Sequence, residues 1–300
     1  MYDIIIIGAG PAGITAAIYA IRKRVNLLVI SKDIGGQTAW SGDIENYTGY
    51  QFVTGPELTS KFEEHMRKYG IPLKEGETVA DIRKRDDRIV VKTNKGTYES
   101  KTAIIASGKK SRELNVPGEK EFKNKGLTYC ATCDGPLFAG KPVAIIGGGN
   151  SALDAALQLM RIASRVYLVN IAACLTGDPV MVEKIRKSGI VSVMNGAKVL
   201  GISGGKMVRG IKIEREGKAE DLAVEGVFVE IGLTPNSDIA ADVAKNSSGE
   251  IKVNAFNQTN VPGIFAAGDV TDVPEKQIII AAGEGSKAAL AAFRYLNQHE

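Results

Sequence analysis

Two glycine-rich loops in matching surroundings constrain this chain more than any other feature. The first, Gly8-Ala9-Gly10-Pro11-Ala12-Gly13, follows the apolar run at residues 4–7 and precedes a helix-like stretch at 14–22; residues 25–30 then read as a second strand. Strand, G-x-G-x-x-G loop, helix and strand together are the context in which that pattern binds a dinucleotide. The glycines permit a tight turn and let backbone N–H groups approach a pyrophosphate at the helix N-terminus. The second loop, Gly147-Gly148-Gly149-Asn150-Ser151-Ala152, stands between a strand at 142–146 and a helix at 151–161, with a further strand at 166–169. Its G-x-G-x-x-A spacing also serves. Gly8 and Gly147 are a full domain's length apart, so the chain reads as two separate nucleotide folds, the second a duplicate of the first. Its 300 residues suffice for two such cores.

Between the loops lies Tyr129-Cys130-Ala131-Thr132-Cys133-Asp134-Gly135. Two thiols two residues apart can close a disulfide within one turn, and that spacing lowers the pKa of one of them toward the reactive thiolate. The competing uses of such a pair are half a zinc site or a structural bridge. A structural zinc site takes four ligands, and Cys174, His65 and His299 stand at no metal-ligand spacing. Nothing else in the chain resembles a secreted disulfide scaffold. A dithiol between two dinucleotide sites points to electrons passing from nicotinamide to flavin to disulfide.

Charge and hydropathy exclude other classes. Charged residues make up 24% and apolar residues 44%, with a net charge of only +4, the profile of a globular protein. Arg22-Lys23-Arg24 and Arg83-Lys84-Arg85 are too short for a nucleic-acid surface. The apolar start is too short for a signal peptide or a membrane span. Three cysteines fit a reducing compartment, so a cytoplasmic protein is expected.

Along the first fold, the place that usually carries a ribose-holding acid is Ser31, with Asp33 two residues on. In Gly35-Gly36-Gln37 and Ile44-Glu45-Asn46-Tyr47, glycine backbone can lie close to a flat ligand whose edge Gln37 and Asn46 can bond. Residues 54–69 read as a helix with Thr54 as N-cap and Pro56 in the first turn. Residues 71–105 read as an antiparallel meander returning to the sheet at Ser107-Gly108. Residues 190–232 hold several short strands with turns at Gly204-Gly205 and Glu216-Gly217, and 233–236 mark a second crossing. A short strand ends at Gly268-Asp269, and a last helix covers 277–296, its start able to aim N–H groups at a flavin edge. The expected class is α/β, with two Rossmann-like, three-layer ββα nucleotide-binding domains, the second inserted into the first. The boundaries read as 1–115 with 240–300, and 116–239.

Taken in order, these motifs resemble the low-molecular-weight thioredoxin reductases and, at least as closely, the flavoprotein module of the alkyl hydroperoxide reductase flavin subunit. The resemblance rests on Gly8-Ala9-Gly10-Pro11-Ala12-Gly13, Gly35-Gly36-Gln37, Glu45-Asn46-Tyr47, Cys130-Ala131-Thr132-Cys133-Asp134-Gly135, Gly147-Gly148-Gly149-Asn150-Ser151-Ala152 and Gly268-Asp269. It spans nearly the whole chain. Pro136-Leu137-Phe138 and Asn150-Ser151 lean to the second type, whose thioredoxin-like N-terminal domains have no counterpart here, so the dithiol carrier is expected to be a separate protein. The resemblance implies FAD on the outer segments, a nicotinamide cofactor on the inserted domain, a large rotation between the two, and a homodimer. It implies FAD contacts from Gly8, Gly10, Pro11, Ala12 and Gly13, from Gly36, Gln37 and Asn46, from Ser107 and Gly108, and from Gly268, Asp269, Gln277 and Ile278. For the nicotinamide nucleotide it implies Gly147, Gly149, Asn150, Ser151, Ala152 and Asn170. Cys133 would lie against the flavin, Cys130 would attack the disulfide of a thioredoxin- or glutaredoxin-like protein, and Asp134 would be the general acid or base. Thiol–disulfide exchange needs a thiolate and a nearby proton source, which suits Asp134 independently; a helix N-cap is its other use.

One departure bears on the donor. NADPH-dependent members carry His-Arg-Arg after the second strand of the inserted domain, and this chain reads Val169-Asn170-Ile171-Ala172-Ala173. No arginine meets a 2′-phosphate there, while Asn170 can bond a ribose hydroxyl. NADH is therefore expected as donor over NADPH, with ferredoxin a third option. A flavin dithiol oxidase using oxygen and a flavin-binding regulatory protein stay open as alternatives. Cys174 is expected to be a buried small apolar residue.

Overall fold

The run Ile4-Ile5-Ile6-Ile7 becomes the middle of β1 (Tyr2–Ala9), and its residues alternate between two cores. Ile4 and Ile6 face helices, whereas Ile5 and Ile7 face a second layer of strands. Burial on both faces is why a parallel strand reads as a continuous apolar run rather than an alternating one. The computed structural model describes residues 1–41, 43–44 and 46–299, except for the side chains of Trp40, Asp43, Thr132 and Cys133. The described residues divide into two compact units, one built from residues 1–110 and 234–300, the other from 111–233.

In unit 1, β2 (Leu27–Ile34), β3 (Leu73–Glu75), β4 (Val79–Arg85), β5 (Arg88–Thr93) and β6 (Thr97–Ile105) join β1 in the order β3-β2-β1-β6-β5-β4. The strand Ile264–Ala266 adds to β6 in parallel. β6 serves two layers. Its second half pairs in parallel with β1, and its first half pairs antiparallel with β5. Helix α1 (Pro11–Ile21) and the long C-terminal helix Ile278–Gln298 cover the face of Ile4 and Ile6. Helix α2 (Gly55–Lys68) starts in a full capping box, Thr54 and Glu57 each bonding the other's backbone N–H. β2 runs on past residue 30 to Ile34, because Ile34 pairs with Ala9 beyond a register shift.

Unit 2 repeats this plan. Its parallel sheet contains β7 (Leu127–Thr128), β8 (Pro142–Ile146), β9 (Arg165–Asn170), β10 (Val191–Asn195) and, after an antiparallel meander, β14 (Gly226–Val229). The order is β7-β14-β8-β9-β10. The meander is β11 (Ala197–Gly204), β12 (Val208–Arg215) and β13 (Lys218–Ala223), with Glu216-Gly217 turning the last hairpin at positive φ. It covers one face through Ala144, Ile146, Val227 and Val229. Helix α3 (Ala131–Asp134) follows β7, α4 (Asn150–Leu159) follows β8, and α5 (Pro179–Arg186) precedes β10. The other face of the sheet, with Val143, Ile145 and Phe228, packs against α4. Among the described residues, no helix is long and apolar enough to cross a membrane.

Candidate functional site

In unit 1 the first glycine loop turns from β1 into α1. Gly8 has φ +103°, and a Cβ placed on Gly13 would lie 1.9 Å from the Gly8 carbonyl oxygen, so close helix–strand packing dictates both glycines. Gly10 differs. It is the N-cap of α1 without a side-chain cap, and the nearest atom to an added Cβ is the Gly35 carbonyl oxygen at 3.9 Å. Gly36 meets only the Cα of Gly10, at 3.7 Å. A methyl group on either glycine would thus stand at ordinary contact distance, and Pro11 at the first helical position needs no N–H partner there. Ala12 and Gly268 pack on each other beside the C-terminal helix. Gln37 donates through Nε2 to the Lys109 carbonyl at 3.0 Å, and Asn46 donates through Nδ2 to Gln277 Oε1 at 3.1 Å. Ser107 and Asn236 exchange side-chain-to-backbone bonds of 2.8 Å in both directions. Gly108, at φ +64°, meets nothing within 4 Å.

Asp269 is half-buried and accepts no hydrogen bond from the described residues. Burial raises its pKa, Lys276 and Lys109 lower it, and Glu250 raises it again. Gln277 is the N-cap of the C-terminal helix and makes no side-chain cap, so the first N–H groups of that helix, from Ile278 on, have no side-chain acceptor at the cap. An acid that accepts no hydrogen bond among the described residues, an uncapped helix start and a glycine loop at the start of α1 fit a ligand that combines hydroxyls, phosphates and a flat ring, as FAD does. Ser31 does not hold a ribose: its hydroxyl accepts from the Ala9 N–H at 3.0 Å and donates to the Asp33 carbonyl at 2.5 Å, because β2 continues past it. Glu45 lies outside the described residues.

In unit 2, β7 delivers the chain directly to the dithiol segment. Tyr129 anchors it by donating to Glu119 Oε1 at 2.8 Å, and Glu119 also accepts from the Leu114 and Asn115 N–H groups. Burial and then Glu119 push the Tyr129 hydroxyl pKa up. Cys130 is held in a disulfide, and its N–H donates to Thr128 Oγ1 at 3.1 Å. The Cys133 side chain lies outside those described. Asp134 closes the turn with its N–H on the Cys130 carbonyl and begins the 3-10 helix Gly135–Phe138. It occupies the N-cap position of that helix, as its alternative reading had it, without a side-chain cap bond. Phe138 then pins the segment, meeting Phe228 edge-on at 5.2 Å and filling the place a side chain on Gly226 would take.

The second loop sits two strands away. Gly149 is the N-cap of α4, Asn150 and Ser151 are exposed on its first turn, and Ala152 is fully buried. Asn150 Oδ1 accepts from the Asp178 N–H at 2.7 Å, tying the loop before α5 to α4. Gly147 packs on the Glu230 carbonyl. Asn170 ends β9 as expected, but its amide is committed to its own loop. Nδ2 donates to Ala172 O, Cys174 O and Asn195 Oδ1, and Oδ1 accepts from the Ala172 N–H. The amide nitrogen is thus engaged within the protein, and the side chain fills the space above Gly148. Cys174, expected to be buried, is exposed and free, since its backbone carbonyl rather than its side chain faces inward.

One group in this site has no counterpart in the sequence reading. Glu230 follows β14, which lies between β7 and β8, so it stands between the dithiol segment and the second glycine loop. Burial pushes its carboxyl up, the Ala131 amide N–H draws it down, and Asp154 raises it, to about 7. Only the strand order reveals this placement; in sequence it is one acid after an apolar run.

Comparison with known proteins decides the family. Residues 2–285 match the family described as pyridine nucleotide-disulphide oxidoreductase. The chain belongs to this family. It is 42% identical over 302 residues to the F subunit of alkyl hydroperoxide reductase from Pseudomonas putida, covering 98% of this chain and 58% of that protein. It is 42% identical over 298 residues to a protein named NADH dehydrogenase in Bacillus subtilis, with the same 98% and 58% coverage. The chain thus spans 58% of the length of these relatives. Among solved structures, the thioredoxin reductase of Lactococcus lactis superposes with a TM-score of 0.91 at 32% identity, covering 99% of this chain and 100% of that one. Family and fold agree: the chain belongs to the pyridine nucleotide-disulphide oxidoreductases and has the fold of the Lactococcus lactis thioredoxin reductase.

Proposed function

We propose that the chain reduces protein disulfides, taking two electrons from a nicotinamide nucleotide by way of FAD to the Cys130/Cys133 pair and on to a thioredoxin- or glutaredoxin-like protein. The observation that carries this reading is the oxidised Cys130 at the carboxyl edge of the unit 2 sheet, two strands from a glycine loop shaped for a dinucleotide. Carboxyl edges of parallel strands are where such folds bind their ligands. FAD would be held in unit 1, at the glycine loop of Gly10 and the neighbouring Gly36, with Asp269 on its hydroxyls and the start of the C-terminal helix at its ring. Bound there, it would supply the two-electron relay between nicotinamide and disulfide. The residues of unit 2 do the rest. Cys130 attacks the partner's disulfide as a thiolate, Cys133 resolves the mixed disulfide, and Asp134, its carboxylate free of capping duty, carries the proton to the leaving thiolate.

NADH is the donor on this reading. Residues 169–176, the end of β9 and the loop after it, hold no lysine or arginine to meet a 2′-phosphate, and the name of the Bacillus subtilis relative is in keeping with that. The test is anaerobic stopped-flow reduction of the purified protein by NADH and by NADPH. A yellow protein bleached much faster by NADH is expected. Preference for NADPH would overturn the donor assignment, and a colourless protein would overturn the whole reading. A Cys133→Ser variant should keep donor-driven bleaching and lose reduction of the partner protein.

A further inference from the structure

We propose that Glu230 is a proton-linked positioning residue of the dithiol: its carboxyl, seated at the amide that follows Cys130, couples the charge of the Cys130 thiol to its own. The inference rests on the reading of Cys130 as half of a redox dithiol. Strand register carries it. β7 and β14 run parallel with Leu127 opposite Val227 and Thr128 opposite Phe228. Cys130 and Glu230 each follow two residues after that last pair, beyond the ends of neighbouring strands. The Ala131 N–H, part of the peptide bond leaving Cys130, is the backbone group that the Glu230 carboxyl bonds. On its other side, β14 pairs with β8 up to Val229 opposite Ile146, and the Glu230 N–H donates to the Ile146 carbonyl at 2.8 Å.

The charges around Glu230 leave it nothing to balance against. From α4 it faces Asp154, whose carboxylate accepts from Gln158. β8 and β14 end there in Ile146 and Val229. No lysine or arginine among the described residues forms an ion pair with Glu230. An anion here would oppose a thiolate on Cys130, while the neutral acid would tolerate one, so the two groups titrate as a pair. The raised pKa of Glu230 sets this coupling near neutrality. When a dithiol such as dithiothreitol opens the disulfide, the S–S bond breaks, the reductant closes to its cyclic disulfide, and its two protons pass to the protein sulfurs, to Glu230 or to water. How they are shared then depends on the Glu230 charge.

The test uses the whole chain with Cys174→Ser, which removes the exposed thiol outside the site. The protein is reduced with dithiothreitol, freed of it anaerobically, and alkylated with iodoacetamide from about pH 5 to 9. Relative to the chain that keeps Glu230, Glu230→Gln is expected to lower the apparent thiol pKa by about one unit. That raises the thiolate fraction about tenfold and, because nucleophilicity falls with pKa, the rate at pH 7 about threefold. The variant's profile should also lose one inflection, which Glu230→Asp restores. Superimposed profiles for Glu230 and Glu230→Gln, with the thiols released, overturn the inference alone. If dithiothreitol releases no new thiol, the dithiol reading fails and takes the inference with it. Should Glu230→Gln fail to fold, infrared difference spectra of the unsubstituted protein carrying carbon-13 glutamate, oxidised minus reduced, give the answer. A perturbed protonated-carboxyl band of labelled glutamate supports the coupling, and its absence overturns it.

Discussion

Gly10 and Gly13 stand three residues apart in one loop and answer to different demands. A methyl group on Gly13 would lie 1.9 Å from the Gly8 carbonyl oxygen, which backbone cannot accommodate without moving β1 from α1. Gly13→Ala is expected to lower stability by about 3 kcal/mol in denaturant unfolding. Gly10 has φ −80° and ψ −175°, which any residue adopts, and an added Cβ would meet only the Gly35 carbonyl oxygen, at an ordinary 3.9 Å. Gly10→Ala should therefore change stability by less than about 0.5 kcal/mol while lowering the FAD content of the purified protein, read from its visible spectrum. Acid stability is set partly by Glu250. Burial raises its pKa, but bonds from Lys109, Asn246 and Lys276 outweigh this and hold it at about 2, against an ordinary 4.5. A depressed carboxylate stabilises the fold above its unfolded pKa and is lost as pH falls through the folded value. Glu250→Gln should thus flatten the fall in stability between pH 4.5 and about 2, and an unchanged acid titration would contradict that.

At the scale of elements, α3 has four residues, far too few to hold a helix by itself. It exists because the chain on both sides is fastened, by Tyr129 to Glu119 before it and by Phe138 to Phe228 after it. Phe138→Ala should cost about 3–4 kcal/mol and, by loosening the segment, make the Cys130 disulfide easier to reduce; titration against a dithiothreitol redox buffer would read this. The glycine loops belong to this scale as well, and here the sequence was most informative. Strand, loop and helix are contiguous, so the local pattern dictates each turn. Asn170 is the counter-example. Its place at the end of β9 was legible, but its hydrogen bonds to Ala172, Cys174 and Asn195 arise from a loop folding back on itself and from a neighbouring strand. Ser31 misleads in the same way, because β2 continues past the point where the apolar run stops.

For the molecule as a whole, residues 111–233 form one continuous segment with both faces of its sheet covered by its own helices and meander. Unit 1 is discontinuous, since Ile264–Ala266 and the C-terminal helix complete a sheet and core begun by β1. A fragment of residues 111–233 is therefore expected to fold by itself and unfold cooperatively on heating, followed by circular dichroism. Residues 1–110 alone lack the C-terminal helix that buries Ile4, Ile6 and α1, and should not fold.

The sequence by itself determined the two glycine loops, the parallel strands feeding them, the dithiol and the missing arginines, because each is a pattern of neighbours along the chain. Tertiary structure alone decided that the Glu230 carboxyl meets the amide after Cys130, that the Asn170 amide nitrogen is engaged and that Asp269 accepts no hydrogen bond among the described residues. Those facts depend on which strands lie side by side, and residues a hundred positions apart meet only when hydrogen-bonded register brings them together.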